Sequence, residues 1–135
     1  MTSVKQALHA FWGRFVLGET CIHAYGEDTL PPEENISFPY IIFRTDIPDA
    51  FVTLETGATV WFDANDAGAN QQRAALCDEI AKAMPIQGVR LPLSTGGHIV
   101  IRRSTGAFLS DYTPGDPNTA IGARVGYTIT TYSML

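Results

Sequence analysis

The stretch FPYIIFRT, residues 38 to 45, limits what this chain can fold into more than any other. A strand with one wet face alternates apolar and polar residues, because successive side chains point to opposite sides of the sheet. Here Phe38, Tyr40 and Ile42 share one side while Ile41 and Phe43 take the other. Both sides of this strand therefore need cover. Pro39 has no amide donor and belongs at a strand start or edge. Ile41 to Thr45 is then the strand body, and Pro48 ends it.

Elements that could supply the cover are few. The chain has 135 residues, the size of a single domain, so residues 1–135 are read as one unit. A chain of this length buries about two thirds of its unfolded surface. Two helices are legible. In the first, Ser3 and Gln6 make a capping box, and Val4, Leu8, Phe11 and Phe15 form one apolar stripe with Gly18 as the stop. In the second, Asn65 or Asp66 is the cap and Pro85 enforces the end. Arg73, Cys77, Ile80, Ala81 and Met84 share its inner side, Leu76 lies at the edge, and Asp78, Glu79 and Lys82 face water.

The remaining segments read as strands and turns. Thr20 to Tyr25 is a short strand, followed by an acidic loop from Gly26 to Asn35. Ala50 to Phe62 reads as a hairpin about Thr56 and Gly57. VRLPL, with Pro92 marking an edge, joins HIVIRR through Gly96 and Gly97. Residues 104–119 are rich in turn formers, and a loop of that length is usually functional. In the last strand Ile121, Ala123, Val125, Tyr127 and Ile129 alternate with Gly122, Arg124, Gly126, Thr128 and Thr130. The order α-β-β-β-α-β-β-β predicts an α+β fold, a mainly antiparallel or mixed sheet with two helices packed on one face. Ile121 to Ile129 should face those helices, opposite Phe11, Phe15, Ile80 and Met84. Two helices cover one face and leave the other to a partner.

Residue chemistry points away from catalysis. The net charge is −5 and the nine Lys and Arg are scattered, so Tyr25, Tyr40, Trp61 and Tyr127 lack the interleaved cations of a nucleic-acid stacking surface. Cys21 and His23 are too few for a zinc site, which takes three or four ligands. STGGH opens no helix and is read as a turn rather than a phosphate cradle. TPGDPN lacks the spacing of a calcium loop. Cys77, on a helical stripe, is read as a buried thiol. No catalytic residue, metal ligand or cofactor is expected. Lys5, His9, Arg14 and Glu19 interrupt any signal-peptide core, and no apolar run is long enough to span a bilayer. The expected setting is a cytosol.

Taken in order, the amphipathic helix, the acidic loop, FPYIIFRT, TVWFD, AALCDEIAKAM, GGHIVIRR, the long loop and ARVGYTITTY resemble the tail terminator, or tail-completion, proteins of long-tailed phages and prophages, the minor tail protein U-like group. The family's PYI strand opening matches Pro39, Tyr40 and Ile41. Its Gly-Gly-aromatic-Ile strand matches Gly96, Gly97 and Ile99, with His98 in the aromatic position. The segment from Cys21 to Asn35 is longer than in many members.

The resemblance implies a structural virion protein that ends tail-tube growth and joins tail to head as a ring, typically hexameric. Its implied partners are further copies of itself, the major tail tube protein and the head-tail connector or neck protein, with no membrane and no specific nucleic acid. Its implied place is the virion tail, with assembly in the bacterial host cytoplasm. Such a ring needs a heterologous interface that closes under rotation. Tyr40, Ile42, Arg44, Arg102, Arg103, Phe108, Asp111, Tyr112 and Asp116 are its candidate residues. Phe108 and Tyr112 are the anchors, and Arg44, Arg102 and Arg103 pair with Glu33, Glu34, Asp111 or Asp116 of the next subunit. Two alternatives stand beside this reading: a phage neck or head-closure protein, and a small ligand-binding α+β domain.

Overall fold

A computed structural model describes residues 2–48, 51–94, 96–112 and 119–132. Its first helix, α1 (Thr2–Trp12), buries Val4, Leu8, Phe11 and Trp12. The helix stops well before Gly18. Gly13 is a poor helix former; its amide makes the last helical bond, to His9 O at 2.9 Å. Phe15 then enters the core from outside the helix. Gly18 instead makes the tight turn, at φ 60°, between β1 (Val16–Leu17) and β2 (Thr20–Cys21), which pair antiparallel.

The main sheet has seven strands. They are β3 (His23–Gly26), β4 (Tyr40–Phe43), β5 (Thr53–Asp63), β6 (Val89–Pro92), β7 (His98–Arg103), β8 (Leu109–Tyr112) and β9 (Ala120–Tyr132). The order is β3-β4-β5-β9-β7-β6, with β8 also on β9. Only β3 and β4 run parallel; the other pairs are antiparallel. With α2 (Ala69–Ala83) this is the expected α+β fold, and β6 with its Pro92 is indeed an edge strand.

One expected turn is absent, and one expected loop is shortened. Thr56 and Gly57 lie in the middle of the continuous strand β5, which pairs with β9 from Thr53↔Thr130 to Asp63↔Ala120. Gly57 is directly opposite Gly126, and a Cβ on it would come within 2.9 Å of Val125 O. Close approach of two backbones, rather than a positive φ, is what the glycine permits. The long loop is also interrupted. Leu109 to Tyr112 form β8, which continues along the β9 edge that β7 begins. Ser104 to Phe108 bulge out between them, tied down by Ser104 N to Gly126 O at 3.0 Å and Gly126 N to Phe108 O at 2.8 Å.

The alternation of β9 resolves as expected. Ala123, Val125, Tyr127 and Ile129 are buried beneath the helices and Ile121 is half-buried. They join Phe11, Phe15, Ile80 and Met84 in one core. On β5 the covered side is Thr56, Ala58, Val60 and Phe62. On β4 it is Ile41 and Phe43. The second helix differs in detail. Gly68, not Asn65 or Asp66, is its N-cap, and Ala69, Leu76 and Ile80 are its buried residues. Leu76 therefore sits at the centre of the inner stripe, and Cys77 is only half-buried.

Candidate functional site

Among the described residues, neither α1 nor α2 covers the other side of the sheet. Register places His23 and Tyr25 of β3, Tyr40 and Ile42 of β4, Glu55, Thr59 and Trp61 of β5, and Arg124 and Thr128 of β9 there. Tyr112 of β8 pairs with Gly122, and Arg102 of β7 with Thr128, on the same side. Tyr40, whose cross-strand partner is Trp61, packs 5.4 Å from Phe38 and 6.4 Å from Tyr25 between ring centroids. Trp61 meets Tyr112 edge-on at 5.4 Å, and the Arg124 guanidinium sits 3.9 Å from the Tyr112 ring centroid. Aromatic rings thus run from β3 across the sheet to β8. Contacts of this kind favour offset or edge-on geometry, and the ring faces attract a cation.

A shallow basin of about 580 Å³ lies on this face, lined in part by Gly57, Gly126, Ile42, Glu27, Arg44 and Arg124. Its floor is low because the paired glycines carry no side chains. Arg44 is held by Asp46, with Nη2 2.6 Å from a carboxylate oxygen. That hydrogen bond lowers the Asp46 pKa and raises that of Arg44.

The residues expected at an interface are divided by this geometry. Tyr40, Ile42, Arg102 and Tyr112 lie on the uncovered face, and Arg44 lines its basin. Arg103 does not join them. It follows Arg102 in β7, and the alternation turns it toward the helices. Its Nε donates to Met84 O at 2.7 Å and its Nη2 to Ala81 O at 3.0 Å, capping the C-terminus of α2. Carbonyls at a helix C-terminus lack a partner within the helix and carry the negative end of its dipole, so a partly buried guanidinium suits them. Phe108 lies 4.5 Å beneath the same guanidinium and packs against the core. Asp111 also turns to the helix side, 3.5 Å from Arg73 of α2. Asp116 lies outside the described residues. Tyr127, grouped by sequence with the stacking aromatics, is fully buried and belongs to the core.

Tyr25, Trp61 and Arg124 are additions to those candidates. Period-two alternation marked Arg124 as lying opposite the core side of β9. Trp61 needed the register, because the hairpin reading separated it from the strand that aligns it with Tyr40 and Gly122.

Burial pushes the Cys77 thiol up from its ordinary value, so it is a poor nucleophile at neutral pH. Among the described residues no group of three or more His, Cys, Asp and Glu is placed to hold a metal ion. Among them, too, no helix is long and apolar enough to cross a membrane. Comparisons with protein-family models, with curated proteins and with solved structures find no match for this chain.

Proposed function

We propose that the chain is a ring-forming structural protein of a phage or prophage tail, a terminator that ends tube growth and joins the tail to the head. The uncovered aromatic face carries this reading. Tyr25, Tyr40, Trp61 and Tyr112 form a continuous, half-exposed band that no part of the chain covers among the described residues. Aromatic residues concentrate binding energy at protein interfaces. A subunit that assembles by rotation needs such a surface and needs no catalyst. The partners in this reading are further copies of the chain, the tail tube protein and the neck.

The test is assembly. Purified protein, alone at high concentration and with tail tubes, is followed by sedimentation and negative-stain imaging. Rings or capped tube ends are the expected result; a monomer that leaves tube length unchanged removes the reading. A second reading, a small ligand held in the basin, is favoured by the polar groups of Arg44, Arg124 and Glu27 in its lining. It expects a monomer whose melting temperature rises with ligand.

A further inference from the structure

The two ends of the sheet carry opposite charge. At one end, β6 and β7 place Arg90 opposite Val100 and Arg102 opposite Thr128, both on the uncovered side. Neither arginine has a carboxylate partner among the described residues. At the other end, β3 runs straight into the segment 27–35, which holds Glu27, Asp28, Glu33 and Glu34. Asp28 is used within the chain, 3.1 Å from Lys5 of α1. Glu27 lines the basin beside Arg44 and Arg124 of its own chain, whereas Glu34 has no salt bridge among the described residues, and Leu30 is 42% exposed. The strand order puts β3 and β6 five steps apart. At the usual strand spacing that is roughly 24 Å.

We infer that the basic end of the uncovered face receives the acidic segment 27–35 of a second copy of this chain. The inference rests on the ring reading and names the surfaces that build it. Complementary patches at opposite ends of one sheet cannot meet within a molecule, and a two-fold dimer would have to bring both pairs together at once. Joined head to tail they make a heterologous contact, the kind that closes into a ring. Arg103, Arg44 and Asp111 have no part in it, because Met84, Asp46 and Arg73 already engage them. The arginines set register and encounter rate, and Leu30 supplies the apolar anchor. A nucleic acid is the less suitable occupant: the chain carries a net charge of −5, and the acidic segment would repel phosphate.

Two charge-reversed proteins test this. One carries Arg90→Glu and Arg102→Glu, the other Glu33→Lys and Glu34→Lys; circular dichroism and thermal melting confirm that each folds, and Arg90→Gln with Arg102→Gln replaces the first if it does not. Sedimentation across a concentration series is the readout. Each variant alone should need roughly tenfold more protein than wild type to associate. An equimolar mixture should return to wild-type behaviour, because every contact in an alternating assembly is again between opposite charges. Wild-type association unchanged in both variants overturns the inference and leaves the ring reading standing. A mixture that stays as weak as its components also overturns it. A wild-type chain that never associates, alone or with tail tubes, removes both. Binding of a labelled oligothymidylate that is lost in the Arg90→Glu, Arg102→Glu protein, without self-association, assigns the face to single-stranded nucleic acid instead.

Discussion

The indole of Trp12 and the hydroxyl of Tyr127, 115 positions apart in sequence, meet in the core: Nε1 donates to Oη at 3.2 Å, and both side chains are fully buried. The bond ties the end of α1 to the central strand of the sheet. Its loss should be felt, because a buried donor without an acceptor costs its full desolvation. Tyr127→Phe should destabilise by about 1–3 kcal/mol, with the secondary structure kept, as read by urea denaturation and circular dichroism.

The same hydroxyl gives a pH signature. Burial pushes the Tyr127 pKa well above its ordinary value of 10.0, since the core disfavours the phenolate. The unfolded chain ionises first as pH rises. Stability from this group is therefore complete below about pH 10 and declines above it. Denaturation midpoints measured from pH 8 to 11 should fall more steeply in wild type than in Tyr127→Phe.

Arg103 should behave as a structural residue. Its two bonds to the α2 carbonyls are charge-assisted and partly buried. Arg103→Ala should cost roughly 1.5–3 kcal/mol. Lysine, without the planar fork, should restore only part of it. Denaturant midpoints check this, and self-association measured well below the new midpoint should be unaffected.

Thr56 points the other way. Its hydroxyl is buried beneath the helices with no hydrogen-bond partner among the described residues. Valine has nearly the same shape and no polar atom to bury. Thr56→Val should be neutral or should stabilise by up to about 1 kcal/mol, seen as a raised melting temperature.

Gly122 stands where β5 lies close against β9. A Cβ there would lie 2.5 Å from Val60 O and 3.1 Å from the Trp61 ring. Gly122→Ala should cost about 1–3 kcal/mol by forcing the strands apart. Val125→Ala, a simple core truncation at a site 2% exposed, should cost a similar roughly 1–3 kcal/mol through the cavity it leaves. Tryptophan fluorescence separates them: only the glycine substitution should shift the Trp61 environment.

Local pattern alone determined much of this protein. The period-two alternation of 121–129 marked its covered side, Pro92 marked an edge, and the stripes of Val4, Leu8 and Phe11 and of Ile80 and Met84 marked the helical cover. Those features depend on residues a few positions apart, which is the range over which backbone geometry fixes side-chain direction. What the pattern left open was decided by pairing across the chain. FPYIIFRT is apolar on both sides, so only its register with Val60 and Ala58 settled that Ile41 and Phe43 enter the core while Tyr40 and Ile42 stay on the open face. Gly57 reads locally as a turn, yet its place opposite Gly126 makes it a close contact within one long strand. Arg102 and Arg103 are adjacent in sequence and chemically identical, but the pleat sends one to the uncovered face and the other to the end of α2. Sequence neighbours share composition; which of them meets a helix, a strand or water depends on partners brought from far along the chain by folding.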